Sequence, residues 1–128
     1  MKDLIDKFIS IEKELSEEAG DFELFALFLR EDSPNKWDLL VSANWIDQDK
    51  SHALKIVSNK VQEHLEKKEL VNLSRIVVIK DDNPALEAFH QAVSVEHGYT
   101  EIQNATFFGL EIKHAIVITS RSNTAKAS

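Results

Sequence analysis

Two acidic stretches hold the residue types best suited to chemistry in this chain. Asp47-Gln48-Asp49-Lys50-Ser51-His52 and Asp81-Asp82-Asn83-Pro84 each follow a strand-like segment and open a helix-like one. Clustered carboxylates are hard oxygen ligands of the kind that suit Mg²⁺ or Mn²⁺. If the strands ahead of them run parallel in one sheet, both junctions open on the edge where α/β sheets usually bind ligands. Asp47, Asp49, Asp81 and Asp82 would then hold an ion that polarises a phosphoryl oxygen or activates water. His52 is the candidate catalytic residue, assisting proton transfer. The competing explanation needs no ligand. Asp and Asn at helix starts satisfy free first-turn N–H groups and complement the helix dipole, which accounts for Asp49 and Asn83 directly. The same acids repel an anion from either helix start.

Other constellations are thinner. Glu111-Ile112-Lys113 has the Glu-x-Lys form used by metal-dependent nucleases of the restriction-endonuclease type, with Asp38 as the partner acid. Two helices and a strand separate the pieces, whereas those nucleases place them on adjoining strands. Alternating Glu and Lys on an exposed strand face explains the pattern better. Of the histidines, His90 and His97 lie two turns apart on one expected helix, a poor spacing for joint ligation. His64 borders an apolar stripe, so a packed, hydrogen-bonded role is expected for it. No GxSxG elbow supports a serine nucleophile. The only glycines, Gly20, Gly98 and Gly109, cannot build a Walker A or GxGxxG loop. With no cysteine, disulfides, thiolate catalysis and thiolate metal sites are all excluded.

The elements that must position these residues follow from periodicity. Lys2 to Ala19 reads as an amphipathic helix with Leu4, Ile5, Phe8, Ile11 and Leu15 on one face and the glutamates mostly elsewhere, stopped by Gly20. Phe22 to Arg30 is a strand whose unbroken apolar run suggests burial on both faces. A turn over residues 31–36 leads into Trp37 to Ile46, which alternates with period two and so forms a hairpin with it. Ser51 to Lys68 is a helix, Arg75 to Ile79 a buried strand, and Asn83-Pro84 starts another helix that Gly98 closes. Thr100 to Ile112 and Ala115 to Thr119 make a final strand pair. The order is α-β-β-α-β-α-β-β, which gives one mixed β-sheet with packed helices, at the α/β to α+β border. Residues 1–120 form a single domain and residues 121–128 a flexible C-terminal tail.

Aromatic residues offer a second kind of function. Trp37 and Trp45 should project from one face of one strand, and Phe107 and Phe108 from opposite faces of another. Left uncovered, these four residues are candidate interface residues. In a core they do no more than pack.

Composition bounds the rest. A chain of 128 residues with 43% hydrophobic residues suits one packed domain. A net charge of −7 repels phosphate backbones at long range, so a nucleic acid is not the expected partner. The N-terminus lacks the apolar core of a signal peptide, and the longest apolar run, Leu24 to Leu29, is six residues. A cytoplasmic protein with no membrane association is expected. The sequence therefore points to a small binding or regulatory module that contacts another protein or itself, a homodimer being one form of this, with no cofactor and no enzymatic activity. The alternative is a Mg²⁺- or Mn²⁺-dependent enzyme acting on phosphate-containing substrates at the acidic edge.

Overall fold

A computed structural model describes residues 2–33 and 35–122; Pro34 in the first turn and most of the expected tail lie outside the described residues. The chain runs α1 (Lys2–Glu18), β1 (Leu24–Arg30), β2 (Trp37–Ser42), α2 (Asn44–Gln48), α3 (Lys50–His64), α4 (Lys67–Leu70), β3 (Leu73–Val78), α5 (Pro84–Ala92), β4 (Thr100–Phe107) and β5 (Leu110–Ser120). The strands form one mixed sheet in the order β3-β2-β1-β5-β4. Only β2 and β3 are parallel; the other neighbours are antiparallel. The expected α/β class and the single mixed sheet are thus what the structure shows.

β1 is the central strand, and its continuous apolar run reflects burial on both faces. Phe25 and Leu27 face a core built with α1 and α3, while Leu24, Ala26 and Phe28 face a second core under α5. Each fully buried side chain of this size contributes about 1.5–3 kcal/mol relative to exposure. Gly20 ends the stretch after α1 at φ 141°, a conformation that L side chains rarely adopt. Asn83 caps α5 by accepting a hydrogen bond from Ala85 N–H at 2.9 Å, with Pro84 at the first helical position.

Several boundaries differ from the sequence reading, each for a physical reason. β2 ends at Ser42, not Ile46, because its partner β1 begins at Leu24, directly opposite Ser42. Trp45 consequently lies on α2 and does not share a strand with Trp37. The long helix stops at His64; a capping box between Glu66 and Glu69 then starts α4. α5 stops at Ala92, after which Val95 bridges to Ser120 and His97 adopts φ 52°. His97 is therefore not on the helix that carries His90. The last hairpin turns at Phe108 and Gly109, both at positive φ, as a tight hairpin turn requires, so no strand runs through to Ile112. β5 runs one residue past the expected strand end at Thr119, and Ser120 is fully buried in it. Among the described residues, no helix is long and apolar enough to cross a membrane.

Candidate functional site

The parallel pairing of β2 and β3 sends the chain out of both strands at one edge, so the two acidic junctions do meet. Asp47 Oδ2 accepts a hydrogen bond from the Asp81 backbone N–H at 3.1 Å. The Asp81 carboxyl is pushed above the usual aspartate range, first by partial desolvation at this crowded junction, then by the hydrogen bond and charge of Asp47, then by Asp82. Asp49 is engaged differently. It caps α3, its Oδ1 accepting from His52 N–H at 3.3 Å, so His52 enters the site as a backbone donor with an exposed side chain. Among the described residues no group of three or more His, Asp or Glu side chains is arranged to hold a metal ion.

Beside this junction lies a cavity of about 260 Å³, lined by Asp81, Asp82, Asn83, Glu87 and His90 among others. His90 Nδ1 lies 2.9 Å from Ser120 Oγ, and that hydroxyl donates to Val93 C=O at 2.8 Å. Because the serine proton is committed to the carbonyl, the imidazole must donate through Nδ1–H. This is the reverse of the arrangement that activates a serine nucleophile. Burial holds the imidazole below the usual histidine range, and its Nε2 is a buried acceptor with no partner among the described residues.

The Glu-x-Lys pattern is not assembled. Asp38, on β2, is 1% exposed and Glu111 lies on β5, with β1 between the two strands. Asp38 Oδ2 is taken by Arg30 Nε at 2.9 Å and Arg75 Nε at 3.4 Å. It is held in ion pairs with Arg30 and the half-exposed Arg75 and does not face a reactive cleft.

The aromatic candidates are also engaged within the fold. Trp37 packs on His114 with ring centres 5.5 Å apart, and Trp45 sits edge-on to Phe22 at 5.5 Å. Phe107 and Phe108 do not point to opposite sides. The positive φ of Phe108 folds its ring back, so both rings pack on Phe28 and Phe89. The large hydrophobic side chains exposed among the described residues are instead Val71 (64%) and Tyr99 (48%).

Val71 follows the last residue of α4, and next to it lies a largely apolar groove. This groove, about 400 Å³, runs between α3, α4 and β3, with Leu54, Val61, Leu70, Leu73 and Ile76 in its walls. β3 is the edge strand of the sheet here. The opposite edge, β4, is interrupted at Asn104 (φ 54°) and exposes Glu101, Gln103, Asn104 and Thr106. Such irregularity and polarity are the usual devices that keep an edge from pairing. β3 carries one bulge, at Ser74, and exposes Ser74 and Arg75, but has neither irregularity nor polarity along Ile76, Val77 and Val78, which are half-buried. The sequence reading missed this feature, because an edge strand and a buried one both read as short β-branched runs.

A buried glutamate was missed as well. Glu12, fully buried on α1, takes hydrogen bonds from Thr119 Oγ1 at 2.8 Å and Ser16 Oγ at 3.2 Å and pairs with His97 Nδ1 at 2.6 Å. The signal was available: Glu12 falls at i+4 from Phe8, within the apolar stripe. Compared with protein-family models, curated proteins and solved structures, the chain matches none.

Proposed function

We propose that this protein is a binding module that acts through protein contacts, with the β3 edge and the adjoining groove as its contact surface. The observation that carries this reading is the contrast between the two sheet edges. One is interrupted at mid-strand and polar along its exposed positions; the other is bulged once, at Ser74, but runs on through half-buried Ile76, Val77 and Val78, is flanked by an apolar groove and is bordered by an exposed valine. An extended segment added to an open edge gains main-chain hydrogen bonds from the strand and specificity from side-chain pockets alongside it. The acidic junction does not offer a comparable ligand set. Asp49 is spent on a cap, and Asp47 accepts a backbone N–H.

Peptide-display selection against the folded protein tests this reading. Selected peptides are expected to shift the backbone amides of residues 73–78 in NMR titrations, and Leu70→Asp is expected to abolish binding. Selected peptides that leave β3 unperturbed would overturn it.

A further inference from the structure

We infer that the occupant of the β3 edge is an extended segment of another protein that carries an acidic residue opposite Arg75 and apolar residues at the alternate positions. This rests on the reading of β3 as a contact surface and adds the chemistry of the partner.

Charge at the groove favours an acidic partner. The chain has 22 acidic residues and a net charge of −7, yet none of the groove's described lining residues is a carboxylate and its only charged group is Arg75. The Arg75 side chain is 51% exposed and lies 3.4 Å from Asp38 Oδ2, an oxygen that Arg30 Nε already holds at 2.9 Å. Arg75 is therefore the less satisfied of the two guanidiniums, and it stands on the outermost strand. A carboxylate on an added strand would meet it as a cross-strand pair.

The pleat sets which face each partner side chain takes. Ile76 and Leu73 pack towards the core under α1 and α3, brought to one face by the bulge at Ser74, while Arg75 pairs in register with Asp38, and Leu40, two residues further along β2, faces the α5 side. Successive side chains of an added strand also alternate between faces. A residue opposite Arg75 thus lies on the α5 side, and the residues before and after it point towards the groove walls at Leu54, Val61 and Leu70. The recognised pattern is apolar-acidic-apolar.

The same geometry disfavours a second copy of this chain. The midpoint of β3 falls at Arg75 and Ile76. Antiparallel self-pairing that keeps the two sheet faces continuous then sets the two Arg75 side chains opposite or diagonal to each other, where like charges are destabilising.

The test is an NMR titration of the ¹⁵N-labelled protein with two peptides, Val-Thr-Val-Glu-Val-Thr-Val and the same sequence with Lys in place of Glu. The Glu peptide is expected to shift the amides of residues 73–78 saturably and to bind about fivefold more tightly than the Lys peptide. Arg75→Glu should reverse that order. Arg75→Gln, which removes the charge and keeps a hydrogen-bonding side chain beside Asp38, should bring the two peptides to equal affinity. Equal binding of both peptides at β3 of the unsubstituted protein would overturn the charge selection and leave the contact surface standing. No shift at β3 with either peptide would overturn both. Shifts at β3 that grow with protein concentration in the absence of peptide would make a second copy the occupant and overturn the inference.

Discussion

His97 Nδ1 lies 2.6 Å from Glu12 Oε1, across 85 residues of sequence. Glu12 is fully buried, and its other oxygen accepts hydrogen bonds from Thr119 and Ser16. His97 is held at φ 52°, with its backbone N–H donating to Thr119 Oγ1 at 3.1 Å. The network therefore fastens the connection between α5 and β4 to the first helix. Glu12→Ala removes the acceptor for all three partners and is expected to lower stability by about 3 kcal/mol. Urea unfolding measures that loss. Hydrogen exchange separates it from a simple cavity: amides of residues 93–98 should lose protection in Glu12→Ala and keep it in Leu15→Ala.

Gly20 is required by two independent constraints. Its φ of 141° is strained for any other residue, and a Cβ there would stand 2.8 Å from Trp45 Cδ1. The indole is partly buried and packed edge-on against Phe22, so relieving the contact means shifting that ring pair. Gly20→Ala is expected to cost about 2 kcal/mol and to change tryptophan fluorescence in the native state. An unchanged unfolding midpoint would mean that the turn relaxes freely.

These residues mark how far the sequence could be read. The central strand was legible because burial on both faces leaves an unbroken apolar run, and the α5 start was legible because Asn83 and Pro84 act locally. The acidic junctions were legible as a pair once β2 and β3 were taken as parallel. The end of β2 was not, because it is set by where β1 begins rather than by any residue near Trp45. Nor was the fate of the hydroxyls at the end of β5. A register shift between Phe25 and Ala26 leaves Ile118 as an extra residue, which turns Thr119 towards Glu12 on one face and Ser120 towards His90 on the other. Without that bulge, regular alternation would exchange the two. Bulges and long-range partners are properties of the assembled sheet, and a pattern of period two carries no trace of them.

The Arg30–Asp38–Arg75 cluster should respond asymmetrically to substitution. Asp38 is 1% exposed, so removing its 2.9 Å partner leaves a buried carboxylate with only the 3.4 Å contact to Arg75. Arg30→Ala is expected to cost about 3 kcal/mol. Asp38→Asn should be milder, because Arg30 retains Asp32 at 3.0 Å and Arg75 reaches solvent. Combining Arg30→Ala with Asp38→Asn removes the stranded charge. The double variant should therefore be more stable than Arg30→Ala alone. Strict additivity in the double-mutant cycle would show that the ion pair contributes nothing.

The stability of the fold should depend on pH in two opposite ways. His90 holds its proton less tightly folded than unfolded, because burial disfavours the imidazolium and its Nε2 has no acceptor to donate to. The unfolded chain therefore binds the proton first as pH falls, so stability is intact above the ordinary histidine range and drops below it. Asp81 behaves conversely. Its folded carboxyl keeps the proton to higher pH than the unfolded one, so its contribution declines as pH rises from the ordinary aspartate value through the raised folded value. Asp81→Asn keeps the backbone N–H that Asp47 accepts and removes the repulsion, and should raise the urea midpoint at neutral pH but not in acid. His90→Gln should flatten the loss on acidification below about pH 6.5. Urea unfolding of both variants and the parent across about pH 4 to 8 separates the two groups, since each substitution removes one slope and leaves the other. Level stability across that range in the parent and in both variants would overturn both assignments.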